Sequence, residues 1–479
     1  MDESTEKKVL NSLYDRLFQA VTYAPEGKQN SAFTKDRVFL QFSQNQALNP
    51  ADYENVVSPT NPKGDLGASQ AFANLVDQMP SQTSSYSPSS TLISQTYKAI
   101  VDGANSTVKP DPEQEKRYKE AFDYLNTSST IKDFRGKEIS QTDHSAIYKQ
   151  YLDNQTAYIS AISGYRTAYL GYDLTKTDQQ RQWQANEPKL NNIVDQTYNA
   201  WRSQGSAQVE EALSVLASAI NDAVGNAIRN AQQTMSSGMA SSTGDGSSWY
   251  FSYPIPSNFA DPKATGFAEF TLSSDYLEES SENKVDTWGA KGSGDFGLFS
   301  FSASASGSHA DEHRHCDASQ FDLKAEIAVV RVFRPWLNEL IFKMNNWYTN
   351  MSAAHGIATG KMSSDMLVLP LIPTAFVVAR NVSISANWST DDKKHVADAM
   401  ESKASVGWGP FSLGGDYSNS SSSDYHKATL DGGTYKMPGI QIIAWVNELT
   451  PDSPQLGGPS PATGKKIYSK VKKEEASVC

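Results

Sequence analysis

The amino-acid sequence predicts an α+β protein, with a helical bundle in the N-terminal half and a duplicated antiparallel β-domain in the C-terminal half. Three observations support this prediction. Up to about residue 240, apolar residues recur at intervals of three and four, which is typical of helices. Beyond that point, Gly, Ser, β-branched and aromatic residues form short alternating runs, which indicate strands. One Gly/Ser-rich pattern occurs twice, which indicates an internal repeat.

Length, charge and cysteine content narrow the class of protein. A chain of 479 residues suggests two or three units, and we predict a helical domain (1–240), a β-domain (241–450) and a flexible tail (451–479). The net charge of −12 argues against nucleic acid as a partner, because binding to phosphates requires a clustered basic surface. Two cysteines, Cys316 and Cys479, indicate a reducing compartment or thiols that act between chains.

The N-terminal segment predicts an amphipathic helix that begins after a capping residue, Ser4 or Thr5. Its apolar face is expected to hold Val9, Leu10, Leu13, Leu17 and Phe18. The segment lacks the apolar core of a secretory signal, so we expect an intracellular protein. No stretch of the sequence is apolar enough for a transmembrane helix.

Helical patterns continue to about residue 237. Asn–Pro and Ser–Pro pairs within residues 30–90 predict loops between short helices. Residues 111–125 predict a helix with acidic residues in its first turn. A long helical stretch follows at about 177–237. It is long enough to pair with the preceding segment, 144–172, as an antiparallel hairpin.

That preceding segment carries a tyrosine every seven residues, at Tyr151, Tyr158, Tyr165 and Tyr172. With residues of the interleaved register, the tyrosines form the a/d seam of a helix. One interpretation is an ordinary helical bundle, and the other is a projecting stalk or an oligomerisation surface. Under the second interpretation, we predict these residues to act in assembly: Tyr151, Tyr158, Tyr165, Cys316 and Cys479.

The strand patterns begin after a Gly/Ser-rich linker at 236–248. Seven runs are predicted as strands, and residues 336–348 are predicted as a helix between the two repeats. The predicted strands are 249–256, 267–274, 296–308, 326–333, 367–385, 406–418 and 440–446.

The internal repeat is predicted to comprise residues 267–333 and 379–446. At a shift of 112 residues, an aromatic–Gly–x–Phe–Ser core beginning at Phe296 lies over the one beginning at Trp408. In each copy we expect the Ser-rich strand to pair with the apolar strand that follows it. These final strands, 326–333 and 440–446, lack alternation and are expected to be fully buried.

The densest group of potential metal ligands is HADEHRHCD, residues 309–317. Imidazole and thiolate are zinc ligands, so we predict a metal site at His309, His313, His315 and Cys316. The spacing matches no standard zinc motif, and the alternative is a polar hairpin tip. Clustered histidines also gain charge between about pH 7 and pH 5, which suggests a pH-dependent contact.

No pattern in the sequence predicts catalysis. A Gly-x-Ser-x-Gly elbow, a P-loop and a His-Glu-x-x-His motif are all missing, so we expect neither enzymatic activity nor a cofactor.

Four segments, beginning at Arg334, Leu369, Trp408 and Met437, read RPWLNELIF, LPLIPTAFVVARNVSIS, WGPFSLGG and MPGIQIIAWVNELTPDSP. They resemble patterns shared by a little-characterised group of bacterial and fungal proteins, and among these the crystal-forming OCTIN-type proteins of fungal vacuoles. The resemblance covers about residues 325–455. It implies self-assembly through the β-region, cysteine cross-links and a vacuolar location.

These observations together predict a non-enzymatic protein that self-assembles or binds other proteins. Its expected partner is a second copy of itself, joined into an ordered oligomer or a crystalline or filamentous array. The alternative is a pore-forming protein that inserts its Ser-rich amphipathic hairpins into a membrane. Only this alternative makes a membrane a partner.

Overall fold

A large antiparallel sheet, a smaller second sheet and a layer of helices make up the structure, which is a computed structural model. It describes residues 3–28, 33–58, 61–82, 86, 88–106, 112–132, 138–172, 174, 176–203, 205–217, 223–241, 248–274, 298–303, 310–314, 320–344, 347–349, 356–362, 367–417 and 425–454. The prediction of an α+β fold, with helices N-terminal and sheets C-terminal, is confirmed.

The helices are α1 (Glu3–Thr22), α2 (Leu66–Val76), α3 (Ile93–Asp102), α4 (Pro112–Leu125), α5 (Ala146–Leu170), α6 (Thr177–Ser203), α7 (Ser206–Ala217), α8 (Ala223–Ser237) and α9 (Thr390–Glu401). Two 3-10 helices span Pro50–Tyr53 and Glu339–Lys343.

The strands are β1 (Val38–Phe42), β2 (Gln78–Pro80), β3 (Pro88–Leu92), β4 (Ala104–Ser106), β5 (Asn126–Lys132), β6 (Glu138–His144), β7 (Met239–Ser241), β8 (Ser248–Tyr250), β9 (Tyr253–Ile255), β10 (Ala268–Ser273), β11 (Phe299–Ala303), β12 (Ala310–Arg314), β13 (Phe321–Phe333), β14 (Trp347–Thr349), β15 (Leu371–Ala386), β16 (Ser405–Trp408), β17 (Phe411–Asp416), β18 (Tyr425–Lys427), β19 (Thr429–Asp431), β20 (Thr434–Met437) and β21 (Gln441–Leu449).

The main sheet is built around β15, its longest strand. The strand order is β1-β21-β15-β13-β10; in addition, β9 pairs with β13, and β20 joins β15 to β19. Because side chains alternate across a strand, β15 supplies two hydrophobic cores. Val377 and Ala379 join the core beneath the helices, whereas Phe376 and Val378 join a second core with Phe72 of α2.

The N-terminal helix is confirmed, and all five residues of its predicted apolar face are buried. The helix predicted at 111–125 is confirmed as α4. The stretch predicted as one long helix at 177–237 is instead divided into α6, α7 and α8. One break lies at Gly205, whose φ of +72° belongs to the left-handed region that ends helices.

The heptad seam of α5 packs against α6 of the same chain. Trp201 on α6 stacks on Tyr158 with ring centroids 5.5 Å apart, and Tyr151 lies 6.0 Å from the same indole. Further along the pair, Trp183 meets Tyr165 edge to face at 5.4 Å. Two tryptophans of one helix therefore occupy the seam that the tyrosines of the other helix form.

Three predictions of secondary structure or burial need correction. Residues 336–348 are not an α-helix: Met344 is extended, and Trp347–Thr349 pairs with β4, so sheet pairing ends the short 3-10 helix. The run 406–418 turns at Gly409 and makes two strands. Strand β13 alternates between more and less buried residues, because only one of its faces is fully covered. By contrast, residues 440–446 are buried on both faces, as predicted.

The predicted pairing within each repeat is also wrong. The Ser-rich strand β11 pairs with β12 and β16 in a second sheet, of order β12-β11-β16-β17-β18, whereas the apolar β13 pairs with β10, β15 and β9 in the main sheet. In the first copy, β13 pairs instead with β10, the strand at the beginning of the same copy, because β10 has apolar side chains on the same face of the sheet.

The two ladders that open the repeats have the same register. Phe270 pairs with Ala325 and Leu272 with Leu323 in the first repeat. At the shift of 112, these pairs correspond to Val382–Met437 and Ile384–Tyr435, which are pairs of the second repeat. The correspondence extends over four consecutive pairs.

The boundary predicted at residue 240 separates helix-rich from strand-rich sequence without separating two cores. Strand β1, from the N-terminal half, is a terminal strand of the main sheet and pairs with β21. Residues of α1, α5 and α8 share one hydrophobic core with residues of β13 and β15. The helical layer and the main sheet therefore stabilise each other.

Replacement of Trp201 by Ala should destabilise the protein strongly. The indole is 1% exposed and contacts three tyrosine rings, so its loss leaves a cavity in the α5–α6 seam. We expect the free energy of unfolding to fall by about 3–5 kcal/mol, measured by chemical denaturation. Ile193→Ala on the same helix is the control; because Ile193 is 41% exposed, its loss should cost about 0.5 kcal/mol or less. Equal effects of the two variants would contradict this packing.

Candidate functional site

The structure places the predicted metal ligands only in part. His313 lies on β12, a terminal strand of the second sheet. His309, His315 and Cys316 lie outside the described residues. The structure therefore does not test the predicted metal site. In the portion of the chain that the structure describes, no group of three or more His, Cys, Asp or Glu side chains is placed to hold a metal ion.

The predicted assembly tyrosines face the interior of the chain. Tyr151 is 6% exposed and Tyr158 is fully buried, and both pack on α6. Tyr165 is partly buried, stacks on Tyr23, which directly follows α1, and donates a hydrogen bond to Glu187. The expectation that Tyr151 and Tyr158 offer a surface to other chains is therefore wrong, because α6 already covers them. Cys316 and Cys479 lie outside the described residues.

Burial perturbs the ionisation of these tyrosines. It raises the pKa of Tyr151 to about 12, and a nearby carboxylate, Glu210, acts in the same direction. Burial and the charge of Glu187 likewise raise the pKa of Tyr165 to about 12. Both hydroxyl groups therefore stay protonated at physiological pH and act as hydrogen-bond donors to carboxylates.

Two insertions of equal length leave the main sheet from the same row of paired residues. This row crosses four neighbouring strands and contains Ser273, Asp322, Ser385 and Thr434. The first insertion (residues 274–321) leaves and rejoins the sheet between the first two strands of this row. The second insertion (residues 386–433) does so between the last two. Both insertions therefore project from the same end of the sheet.

The second sheet is formed by these two insertions together. Strand β11 of the first insertion pairs with β16 of the second, and Phe299 lies opposite Trp408. Both aromatic side chains are buried, and Trp408 also contacts Phe321 at the end of the main sheet with centroids 5.3 Å apart. The aromatic–Gly–x–Phe–Ser segments that define the repeat therefore meet at one place.

The second sheet keeps the register of the main sheet. Phe321 pairs with Ala386 in the main sheet, and Ser302 pairs with Ser405 in the second sheet. Ser302 precedes Phe321 by the same number of residues as Ser405 follows Ala386. The two pairs therefore belong to one common register.

The second insertion shows the same relation to the main sheet along its own hairpin. Ser385 pairs with Thr434 in the main sheet, and Gly407 pairs with Ser412 in the second sheet. Gly407 follows Ser385 by the same number of residues as Ser412 precedes Thr434. Helix α9 and strands β18 and β19 lie between these matched ladders. A bulge next to Val406, which pairs with Gly414, shifts the end of the β16–β17 ladder by one residue. The matched ladders would join if α9 extended, β18 and β19 were released and this bulge were lost.

His426 is the histidine of the second repeat that corresponds in position to the predicted metal cluster. It lies on β18, is 5% exposed, and its Nε2 is 3.2 Å from the carbonyl oxygen of Ser412. Burial lowers the pKa of His426. Its imidazole is therefore a neutral part of the core of the second sheet.

Strand β19 is an exposed edge. All three of its residues are exposed, and Leu430 is among the most exposed large apolar side chains of the described residues, at 45%. The tight turn at Gly432–Gly433, with φ of +55° and +88°, has the geometry of a two-residue hairpin. Since the pair next to such a turn is hydrogen-bonded, Leu430 directs its N–H and C=O away from β20.

A cleft of about 600 Å³ lies between the helices and the main sheet. Its apolar lining comes from α4, α5, α7 and the segment before the second 3-10 helix, and includes Phe122, Leu125, Leu152, Leu213, Leu216 and Leu337. Charged side chains line it as well: Arg37, Arg331, Arg334, Lys343, Glu210, Glu339 and Glu448. The lining residues come from eight separate segments, so no local pattern in the sequence points to this site.

Glu448 has the most perturbed carboxyl group of the cleft. Its Oε1 lies 2.7 Å from Nη2 of Arg37. Burial raises the pKa of Glu448 to about 7, and the charge of Glu339 acts in the same direction, whereas Arg37, Lys343 and Arg331 oppose the rise. Glu448 is therefore an acid that titrates near neutral pH.

Comparison with known proteins gives no match: no family model, no curated protein and no solved structure matches this chain. Among the described residues, no helix has both the length and the apolar content that crossing a membrane requires.

Gly407→Ala should loosen the junction between the two insertions and the first segment of the chain. An added Cβ would lie 2.6 Å from Oδ1 of Asn45 and 2.8 Å from Oγ of Ser300. We expect the free energy of unfolding to fall by about 1–3 kcal/mol, measured by denaturation. Gly164→Ala, which meets open space within α5, is the control and should raise it by up to about 1 kcal/mol. A Gly407 variant as stable as wild type would exclude this close contact.

Proposed function

We propose that this chain is a non-enzymatic protein that assembles with copies of itself through its β-region. The observation that carries the proposal is the exposed edge of β19, with Leu430 at its centre. An edge strand with free N–H and C=O groups can add a strand from another chain. The resemblance to OCTIN-type proteins agrees with such an assembly and would place it in a vacuole.

The other edges of the main sheet are less open than β19. On β1, the backbone carbonyl of Phe42 accepts a hydrogen bond of 2.7 Å from the N–H of Tyr86. On β10, the carbonyl of Thr271 accepts one of 2.8 Å from Arg16, and the hydroxyl of Thr271 donates to Gly171. These contacts occupy backbone groups that a second chain would need, so β19 is the edge that best fits a partner.

Pairing of β19 with β19 of a second copy would be self-complementary. Antiparallel pairing about a two-fold axis at Leu430 joins equivalent N–H and C=O groups and brings the two leucines together. Because β19 has only three residues, we expect this contact to depend on protein concentration. Cross-links through Cys316 and Cys479 would extend such dimers into larger arrays under oxidising conditions.

We also infer that the β-region arose by duplication of one unit. The identical register of the β10–β13 and β15–β20 ladders supports this inference, as does the equal length of the two insertions. Duplication accounts for why both insertions leave the sheet at the same level, because each copy would carry its insertion at the same point.

Leu430→Pro tests the edge directly. Proline removes the outward N–H of residue 430 without removing a bond to β20, so the fold should persist while the edge is blocked. Sedimentation velocity over a range of concentrations, at pH 5 and pH 7.5 with and without reductant, should show oligomers for wild type and monomers for this variant.

Leu66→Pro is the matched control, because Leu66 is 57% exposed and occupies the first position of α2, where proline is tolerated. This control should assemble like wild type. Wild-type protein that stays monomeric in all four conditions would overturn the proposal of self-assembly, and assembly that persists in Leu430→Pro would overturn the assignment to β19.

A second candidate function is pore formation, which the register of the insertions favours. If α9 extended, and β12, β18 and β19 detached from their present partners, the β13–β15–β20 ladders would continue into the β11–β16–β17 ladders as longer hairpins. Each would end in an aromatic tip, and each arm would exceed the roughly 9–11 residues that span a membrane. Assembly and membrane insertion would then be successive steps.

A cross-strand disulfide tests whether the proposed extension keeps the present pairing of the two insertions. Ser302 and Ser405 are paired, at a separation that suits a disulfide. Ser302→Cys/Ser405→Cys, in a background with both native cysteines replaced by serine, would hold the two insertions together in their present sheet. Because the proposed extension keeps this pair, the bond should not reduce release of dye from liposomes.

The packing of α9 provides a second test, because the proposed extension requires this helix to leave the second sheet. Val396 of α9 is buried beside the second sheet, and Val396→Asp should weaken the helix packing and speed release, whereas Lys394→Asp on its exposed side should not. Wild-type protein that releases no dye at either pH 5 or pH 7.5, from neutral and anionic vesicles alike, would exclude pore formation.

A further inference from the structure

The cleft between the helices and the main sheet is lined by a half-buried cation, Arg331, whose guanidinium group lies 4.8 Å from the ring centroid of Phe333. Nη1 of Arg331, on β13, donates to the hydroxyl of Thr156 at 3.0 Å and lies 3.5 Å from the side-chain oxygen of Gln155. Its Nε and Nη2 make no hydrogen bond to the described residues, and no described carboxylate lies within 4.0 Å of it. Burial lowers the pKa of Arg331 to about 10, so the group is still cationic at neutral pH.

We propose that this cleft binds an amphipathic carboxylate, with its anionic group on Arg331 and its apolar chain along the leucine-lined wall. A guanidinium group presents parallel N–H donors that match the two oxygens of a carboxylate. The volume of about 600 Å³ is within the usual range for small-molecule sites. This inference goes beyond the proposed assembly and does not depend on it.

The lining distinguishes this ligand from other anions. Leucine and phenylalanine side chains of α4, α5 and α7 face the cleft beside Arg331, and they would leave a fully polar ligand without partners on that side. The carboxylates of Glu339 and Glu448 also line the cleft, and they would repel a dianion more strongly than a monoanion. A single carboxylate on an apolar chain satisfies both conditions.

The same carboxylates make binding depend on pH. Glu448 faces Glu339 and Lys343 of the 3-10 helix, Arg37 before β1, and Arg331 of β13. When Glu448 is protonated, the cleft loses one negative charge that opposes the ligand. A simple fatty acid in water is still largely ionised at pH 6, so we expect tighter binding at pH 6 than at pH 8.

Calorimetric titration with octanoate, octanol and octylammonium tests the proposal with the full-length protein. We expect octanoate to bind at one site, octanol at least about tenfold more weakly, and octylammonium not at all. Affinity for octanoate should fall severalfold between pH 6 and pH 8, and Glu448→Gln should remove this dependence. Equal affinity for octanoate and octanol, or no binding of octanoate, would overturn the proposal.

Two variants locate the ligand. Arg331→Met should weaken the binding of octanoate about tenfold and leave the affinity for octanol unchanged, because only the anion loses its charged partner. Leu213 is half-exposed on α7 and lines the cleft. Leu213→Trp should fill the cleft and weaken the binding of both octanoate and octanol, while every charged side chain of the cleft is retained. Ile193→Trp, on the exposed side of α6, is the control and should bind like wild type. Octanoate binding unchanged by Leu213→Trp would place the ligand elsewhere and overturn the proposal, even if Arg331→Met failed to fold.

Discussion

Pairing of β15 on both of its edges is the constraint on which the rest of the structure depends. The strand bonds to β13 along one side and to β20 and β21 along the other. Its alternating side chains supply the core beneath the helices and the core beneath α2. A strand buried on both faces must be apolar throughout, and most residues from Leu371 to Ala379 are buried. Both hydrophobic cores therefore meet at one strand.

The register of β15 also decides where the insertions lie. Because β15 pairs with both β13 and β20, its register aligns the row of residues from which both insertions leave the sheet. Equal insertion lengths then bring the aromatic–Gly–x–Phe–Ser segments to the same height, where β11 and β16 pair. The second sheet thus inherits its alignment from the first. This relation links the repeat to both proposed functions, because assembly and membrane insertion would each use strands that this row positions.

The cleft follows from how the helices meet the other end of the main sheet. Arg331, on β13, is half-buried in the cleft, and Arg334, directly after β13, is 8% exposed. Arg334 has backbone partners, since its Nη1 and Nη2 donate to the carbonyls of Pro373 and Val76 at 2.7 and 2.6 Å. Arg331 has a hydroxyl partner and free donors instead. The donors of Arg331 that make no hydrogen bond to described residues lie at the cleft, where the carboxylate of a ligand could accept from them.

The sequence by itself determined the fold class, the N-terminal helix and α4, because apolar periodicity and turn residues are local properties. It also located α5 through its tyrosines, but not their partner, since only packing shows that Trp183 and Trp201 cover the seam. Residues 336–348 have a helical pattern, and pairing of Trp347 with β4 overrides it. Tertiary structure alone decided the strand pairing, the shared row of the insertions and the cleft, because each joins residues that are distant in the chain and no local pattern records such contacts.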